Sequence, residues 1–328
     1  MSNYEAIVVE HYGGPEVLVL DTQHPMPSPA AGEILVEVAA VGVNFIETYQ
    51  RSGVYQVPLP NIPGSEFSGT VAALGEGVHD FQLGDRVMTS TGRYAYGQYA
   101  IVSAAGALKV PEQVDLTEAA AIPLQGITAH YLLRSVFEVK PGHTVLIHAG
   151  AGGVGQLLIQ LSLALGATVI TTASTAAKRQ IAQDLGAHHV IAYENFPDEV
   201  RRITHGLGVD VVYDGVGKET YQSSIASLRA RGHIAIFGAA SGPVPPFDIQ
   251  LLNKAGSVTL SRPSIRDFLQ SREELDWRSE ELFGFLQAGK LHFAIGGRYP
   301  LAQAAQAHYD LESRNTTGKL LLIPARTG

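Results

Sequence analysis

The spacing of hydrophobic and polar positions changes near residue 126. Upstream of that point, short β-rich runs such as 36–43 and 100–102 alternate with glycine and proline, as in Gly13-Gly14-Pro15. Short runs rich in valine and isoleucine, bounded by turn-forming residues, are typical of strands joined by tight turns. The pattern predicts a compact, mostly-β domain over residues 1–125.

Downstream of residue 126, the chain alternates between short apolar runs and longer helical patterns such as 157–164. Strand candidates lie at 144–149, 168–173, 189–193, 209–214, 233–237 and 257–261. Six strands, with helices between most of them, predict a doubly wound parallel sheet. The fold class is therefore predicted to be α/β, with this second domain over residues 126–263.

The last part of the chain has a third pattern. A charged helix is predicted from 267 to about 288, a second helix near 303–313, and a closing strand at 320–323. We expect residues 264–328 to return to the first domain, which would make the α/β domain an insertion.

Composition supports two domains and a substantial core, since the chain has 328 residues, of which 45% are hydrophobic and 16% charged. It contains no run of about 18 apolar residues, so we expect no membrane span. The first residues, MSNYEAIVVE, lack a basic region followed by an apolar core, so we also expect no secretory signal.

Cysteine is absent, which removes disulfides, thiolate nucleophiles and cysteine-containing zinc sites together. This is compatible with a reducing compartment, and we expect a cytoplasmic protein. The net charge is −8 and no long basic run occurs, so the sequence does not favour a nucleic-acid partner.

A glycine-rich motif stands between an apolar strand and an apolar helix. Gly150-Ala151-Gly152-Gly153-Val154-Gly155 fits Gly-x-Gly-x-x-Gly in the context that a dinucleotide site requires. The first glycine permits a tight turn, the second lets the backbone approach pyrophosphate, and the third allows close packing of helix and strand. Free N–H groups at the start of the helix would face the anion.

The end of the next strand indicates which nucleotide binds. NAD sites usually carry an acid there for the ribose hydroxyls, but no acid appears before Asp184. Ser174, Thr175, Lys178 and Arg179 stand in its place and offer a ribose phosphate hydroxyl donors and cations. The alternative is that the two cations only solvate a helix face. We predict NADPH as the cofactor.

These motifs and the sequence of the first domain resemble the zeta-crystallin-like, NADPH-dependent quinone oxidoreductases. That family is a zinc-free branch of the medium-chain dehydrogenase/reductase superfamily. The resemblance covers essentially the whole chain. It implies a GroES-like catalytic domain, a Rossmann domain, an active cleft between them and a homodimer joined through a sheet edge. Its most specific pieces are GGPEVL (13–18), VGVNFIETYQRSGVY (41–55), PGSEFSG (63–69), GDRV (84–87), AGAGGVG (149–155), VVYDGVG (211–217) and SRPS (261–264).

The same resemblance places Asn44 and Ser65 where zinc-dependent alcohol dehydrogenases have a cysteine and a histidine that bind the metal. Neither replacement is a plausible zinc ligand, so we expect no metal. The nicotinamide would then deliver hydride to an acceptor that needs little activation, such as a small quinone. Reduction of the quinone by single electrons is the open alternative.

The resemblance and the glycine motif together predict the site residues. Asn44, Tyr49 and Tyr55 would form its catalytic side, with Tyr49 as the expected hydrogen-bond donor to the quinone oxyanion and no acid–base residue of strongly perturbed pKa. Asn44 would also contact the cofactor, which would be held by Thr128, Gly150, Ala151, Gly152, Gly153, Val154, Gly155, Ser174, Thr175, Lys178, Tyr193, Phe237, Gly238, Ser261 and Arg262. Ser174 departs from relatives, which often have glycine there.

Other interpretations stay open at this point. Asn44 is also compatible with a turn residue, Tyr49 and Tyr55 with packing aromatics, and Glu47 and Glu66 with structural hydrogen bonds or ion pairs. A reductase of α,β-unsaturated aldehydes or ketones would use the same hydride geometry. A crystallin-like or RNA-binding protein is the alternative from another class, although the acidic charge gives RNA no obvious platform.

Overall fold

The computed structural model describes residues 3–313 and 315–325. The chain divides into two compact units, one of Met1–Leu124 with Phe293–Gly328 and one of Gln125–His292. In the described part of the chain, every helix is too short or too polar to span a bilayer.

The first unit opens with the strands that the turn-rich pattern predicts and with two short helices that it does not. Helix α1 begins at an asparagine in extended conformation, and α2 begins at Asp115, whose carboxylate accepts from the Glu118 N–H as an N-cap. The strands are β1 Asn3–Val8, β2 Val19–Pro25, β3 Glu33–Val43, β4 Phe67–Leu74, β5 Arg86–Thr89, β6 Tyr99–Ser103 and β7 Leu108–Lys109, and the helices are α1 Phe45–Arg51 and α2 Leu116–Ala119.

The second unit alternates strands and helices. Its strands are β8 Thr144–Ile147, β9 Thr168–Thr172, β10 His189–Ile191, β11 Val209–Asp214, β12 Leu228–Ile236 and β13 Thr259–Ser261. Its helices are α3 Pro123–Tyr131 (which begins two residues before the unit), α4 Gly153–Ala164, α5 Ala176–Asp184, α6 Phe196–Ile203, α7 Tyr221–Ala226, α8 Gln250–Lys254 and α9 Arg272–Gln287.

The six strands of the second unit form one sheet in the order β10-β9-β8-β11-β12-β13, and all neighbouring pairs are parallel. This order reverses beside the first strand, so the sheet has the doubly wound topology predicted from the sequence. Valine and isoleucine pack on both faces of the central strands because helices cover each face. The α/β class, with a Rossmann-type sheet, is confirmed.

The chain then re-enters the first unit through β14 Ile295–Pro300, α10 Ala304–Glu312 and β15 Lys319–Ile323. Strands of this return join a seven-stranded sheet in the order β14-β15-β3-β4-β5-β7, with β6 also paired to β3. The domain boundaries at 125/126 and 263/264 stay a prediction. The compact units differ from it in one respect, because residues 264–292, which include α9, belong to the second unit.

Helix α9 joins the second unit through a buried arginine. Arg278 is 0% exposed, and its guanidinium donates to the Phe268 carbonyl at 2.9 Å and to Ser135 Oγ at 3.0 Å. It also lies over the Trp277 ring, 4.8 Å from the centroid. A charge buried so completely needs these partners, so α9 is fixed to the segment around Ser135, which follows α3.

Candidate active site

The glycine motif forms the turn between β8 and α4. Ala149 has a left-handed backbone with φ of 54°, Gly152 is the N-cap of α4, and the Gly152 N–H donates to the Ala149 carbonyl at 2.9 Å. The first N–H groups of a helix have no intrahelical partner, and the helix dipole favours an anion beside them. A helix N-terminus of this kind can bind a phosphate group.

The glycines of the motif serve two different purposes. A Cβ on Gly150 would lie 2.1 Å from Thr171 Oγ1, and one on Gly155 would lie 2.2 Å from the Ala149 carbonyl oxygen. Internal packing thus requires both. At Gly152, by contrast, the nearest atom is the same carbonyl oxygen at 3.2 Å. The missing side chain at Gly152 keeps space at the helix N-terminus open, which fits a pyrophosphate.

Tyr193 supports this turn from the end of β10. Its hydroxyl accepts a hydrogen bond from the Ala149 N–H at 3.0 Å, and its ring stacks on His148 with centroids 5.9 Å apart. His148 is buried between Thr172 and Ser224, with both ring nitrogens 2.9 Å from a hydroxyl oxygen, and burial lowers its pKa. The histidine is thus a neutral structural residue beneath the turn.

The predicted ribose-phosphate residues gather at the start of α5. Ser174 and Thr175 are exposed, and Thr175 is the N-cap, its hydroxyl accepting from the Lys178 N–H at 3.2 Å. The Arg179 guanidinium reaches back to the Ser174 carbonyl at 3.4 Å. Because β9 is parallel to β8, this group lies at the same edge of the sheet as the glycine turn.

The remaining cofactor candidates of the second unit also follow strand ends. Phe237 and Gly238 come directly after β12, where a Cβ on Gly238 would lie 2.5 Å from the Gly215 carbonyl oxygen. Ser261 ends β13, with its hydroxyl oxygen 2.9 Å from His233 Nε2, and the exposed Arg262 follows it. Ligands of such sheets bind outside these carboxyl ends.

Thr128, by contrast, is buried on α3 and touches Tyr131. Burial raises the pKa of the Tyr131 phenol to about 12, whereas the Thr128 hydrogen bond and the Arg262 charge oppose this rise. Arg262 and Thr128 therefore have a common neighbour in Tyr131.

In the first unit, Asn44 is the N-cap of α1 and is 6% exposed. Its side-chain Nδ2 donates to Glu66 Oε2 at 2.9 Å and to the Gly42 carbonyl at 3.2 Å. Its Oδ1 accepts from Lys319 Nζ at 2.6 Å. Lys319 also forms an ion pair with Glu66, whose other oxygen accepts from the Leu124 N–H at 2.7 Å. The predicted structural role of Glu66 thus has a physical basis.

Glu47 is a buried carboxyl in the first turn of α1. Its Oε2 accepts from the Asn44 backbone N–H at 2.8 Å, and its Oε1 has no hydrogen-bond partner among residues 3–313 and 315–325. Burial raises the pKa of Glu47 to about 8, while the Lys319 charge opposes the rise. Glu47 is held here as a helix cap, so the expectation that the hydride step uses no dedicated acid–base residue of strongly perturbed pKa stays a prediction. The sequence reasoning missed that capping a buried helix start removes a carboxyl from water.

Tyr49 and Tyr55 form an aromatic group with Phe45. The Tyr49 ring stacks on Phe45 with centroids 6.3 Å apart and meets Tyr55 edge-on at 5.4 Å. Tyr49 is half-buried and Tyr55 is 44% exposed. A partly exposed aromatic surface of this kind can pack against a flat ring while a phenol donates a hydrogen bond.

Asn44, which the resemblance sets at the position of a zinc ligand, does not suit that ion. The Asn44 amide oxygen already accepts from the buried ammonium of Lys319, and this positive charge would repel Zn²⁺. In the part of the chain that the structure describes, no three acids or histidines are grouped as metal ligands.

The predicted residues therefore form two groups, each within one unit. Asn44, Tyr49 and Tyr55 lie in the first, and those from Thr128 to Arg262 lie in the second. Sequence reasoning missed Lys319, because a lysine at the start of the apolar run KLLLI is normally an exposed strand end. It also missed Gln125, whose side chain lies against Gly153 at the start of α4.

Family models match both parts of the chain. The model described as the alcohol dehydrogenase GroES-like domain matches residues 30–112, and the one described as zinc-binding dehydrogenase matches residues 153–280. A quinone oxidoreductase of Pseudomonas aeruginosa is 40% identical over 317 residues, which cover 95% of this chain and 97% of that protein. A 2-haloacrylate reductase of a Burkholderia species is 41% identical, with 97% of this chain and 98% of that protein covered.

The fold is shared with a solved relative as well. The quinone oxidoreductase of Escherichia coli, in a crystal structure with NADPH, superposes with a TM-score of 0.95 at 41% identity, covering 98% of this chain and all of that one. High identity over nearly the whole length, with the same two domains, shows a common family. The chain belongs to the quinone oxidoreductases of the medium-chain dehydrogenase/reductase superfamily.

Proposed function

We propose that this protein reduces quinones with NADPH, without a metal. The observation that carries the proposal is the edge of the second unit's sheet. There the glycine turn presents a helix N-terminus. The next strand, β9, is followed by Ser174, Thr175 and, in α5, Lys178, and no carboxylate occurs before Asp184. NADPH supplies a hydride when it is bound.

The residues of the second unit would bind and orient the cofactor. The space at Gly152 would accommodate the pyrophosphate beside the start of α4. Ser174 and Lys178 would hold the ribose phosphate, since charge-assisted hydrogen bonds suit a dianion. Tyr193 supports the turn through Ala149, and Phe237, Gly238, Ser261 and Arg262 would flank the nicotinamide half.

The residues of the first unit would bind the acceptor. Two electrons and one proton arrive as hydride, and a second proton from water or a hydroxyl completes the hydroquinone. Tyr49 would donate a hydrogen bond to the oxyanion while its ring packs on the quinone. Both amide hydrogens of Asn44 are directed to Gly42 and Glu66, so this residue would offer the ligand an acceptor oxygen.

A panel of acceptors under steady-state conditions tests the proposal. Small quinones and α,β-unsaturated carbonyl compounds are compared at saturating NADPH, and NADPH consumption is matched to product formed. We expect turnover with the quinones. A protein that oxidises NADPH with none of them would not be a quinone reductase.

The second candidate function is the reduction of an electron-poor carbon–carbon double bond. The relative named 2-haloacrylate reductase, at 41% identity, favours it. Hydride would then reach a carbon of the conjugated system from the same cofactor position. If the panel shows kcat/KM higher for enones or haloacrylates than for every quinone, this candidate replaces the first.

We also propose that the protein is a cytoplasmic homodimer. The support for the dimer is β13, which lies at the edge of the six-stranded sheet and can pair with a second copy. The absence of cysteine suits a reducing compartment. Light scattering at micromolar concentration tests the dimer, and fractionation of the cells that express the protein tests its location.

A further inference from the structure

The ion pair of Lys319 and Glu66 is almost completely removed from water, since their exposed fractions are 1% and 0%. Burying two charges is costly, and apolar side chains of similar volume often stabilise a fold as well or better. The chain also makes room for the pair, because a Cβ on Gly42 would lie 2.1 Å from Glu66 Oε2. Stability alone therefore does not explain why these charges are present.

The pair determines how the Asn44 amide is turned. An ammonium has hydrogens but no acceptor, so Lys319 Nζ must face the amide oxygen, at 2.6 Å. The carboxylate accepts only, so Glu66 Oε2 must face the amide nitrogen, at 2.9 Å. Reversing the amide would set NH₂ against the ammonium and oxygen against the carboxylate, and both contacts would be repulsive.

The orientation of Asn44 matters because of where this residue stands. It caps α1, the helix whose Phe45 and Tyr49 carry the aromatic surface for the acceptor. Its backbone N–H is held by Glu47 at 2.8 Å, so the residue is fixed from both main chain and side chain. Hydride transfer is sensitive to displacements of about 1 Å, which can cost about 100-fold in rate.

We propose that Lys319 and Glu66 are positioning residues for hydride transfer, which act by holding the Asn44 amide in one orientation. This inference rests on the proposed function. Both residues of the pair are buried and contact the Asn44 side chain, so their effect would pass through Asn44. Lys319 would thus contribute a positive charge to the active site beside Asn44, the residue that the resemblance aligns with a zinc ligand.

A double-mutant cycle tests this coupling. Lys319→Met, Glu66→Gln, Asn44→Ala and the two combinations with Asn44→Ala are assayed with a small quinone at saturating NADPH, after circular dichroism has shown that each is folded. All variants and the wild type are assayed at the same pH. Glu312→Gln, which weakens the separate ion pair to Arg51, serves as the control.

We expect each single change in the pair to lower kcat about 10- to 100-fold. In the Asn44→Ala background the same change should have little further effect, and the dissociation constant of NADPH should move less than about threefold. Glu312→Gln should leave kcat within about twofold of its parent, both in the wild-type and in the Asn44→Ala background.

Other outcomes would contradict the inference. Folded variants with unchanged kcat, or losses that simply add to that of Asn44→Ala, would overturn the inference and leave the proposed function standing. The same holds if neither variant folds, because the pair would then be structural. A wild-type protein with no quinone turnover would refute the proposed function itself, and the inference with it.

Discussion

Glu47→Gln should remove a large part of the pH dependence of stability in the first unit. Burial raises the pKa of Glu47 from 4.5 to about 8, against the opposing charge of Lys319 and with Glu66 adding to the rise. Below pH 4.5 the carboxyl is protonated in both the folded and the unfolded chain, so the full stability is present there. As pH rises further, the unfolded chain loses this proton while the folded chain keeps it.

The magnitude follows from the two pKa values. Stability falls by about 1.4 kcal/mol per pH unit across this window, and the loss is complete, at about 5 kcal/mol, once pH passes the folded pKa near 8. Glutamine does not titrate, and its Oε1 can still accept from the Asn44 N–H. Its NH₂ would take the place of the unpartnered Oε1 and cost about 1–3 kcal/mol at every pH.

The test is therefore the slope of the unfolding free energy against pH. The constant difference in stability between the two proteins does not test the reasoning. Unfolding in urea is followed by circular dichroism, and hydrogen exchange is followed in peptides from β3 and β15, at intervals from pH 5 to 8.5. Fluorescence of the single tryptophan, Trp277, is unsuitable because it lies in the second unit. Glu112→Gln, a change at an exposed carboxyl of the first unit, is the control. Equal slopes for wild type and Glu47→Gln would refute the reasoning.

Four further predictions concern the cofactor, the turn, the phenol and the metal. Lys178→Ala should weaken the binding of NADPH by about 1.5–3 kcal/mol and that of NADH far less, as measured by titration. Equal losses for both nucleotides would show that Lys178 does not bind the ribose phosphate. Gly155→Ala should destabilise the fold through its 2.2 Å contact with the Ala149 oxygen, whereas Gly152→Ala should fold normally and bind NADPH more weakly; thermal unfolding and binding separate the two. Tyr49→Phe should lower kcat/KM about tenfold, and a loss of several thousandfold would mean that Tyr49 is an obligate proton donor. Purified protein should contain no stoichiometric zinc, and elemental analysis that finds one tightly bound ion per chain would contradict this.

The sequence was informative where local chemistry determines the structure. The glycine turn, the six parallel strands and the acid-free end of β9 all depend on residues close together in the chain. Chain length and the change of pattern near residue 126 predicted the two-domain plan, and the α/β class with its Rossmann sheet is confirmed. Helix α1 was not predicted, because seven residues with a threonine and two aromatics carry a weak helical signal.

The buried hydrogen-bond network of Asn44, Glu66 and Lys319 could not be predicted from the sequence. Glu66 precedes β4, and Lys319 opens β15, some 250 residues later, so only the sheet pairing of β15 with β3 brings them together. Charged residues are usually exposed, and periodicity does not reveal the exceptions. Helix α9 was assigned to the return segment for a similar reason, since the contacts of Arg278 that fix it to the second unit are distant in sequence.

The most direct measurement of the central claim compares NADPH with NADH as reductants of one small quinone, with a chelator present throughout. We expect one NADPH oxidised per hydroquinone formed. We also expect kcat/KM for NADPH to exceed that for NADH by about 10- to 100-fold, as a charge-assisted phosphate contact implies. Equal use of both nucleotides, loss of activity with the chelator, or no hydroquinone would contradict the account.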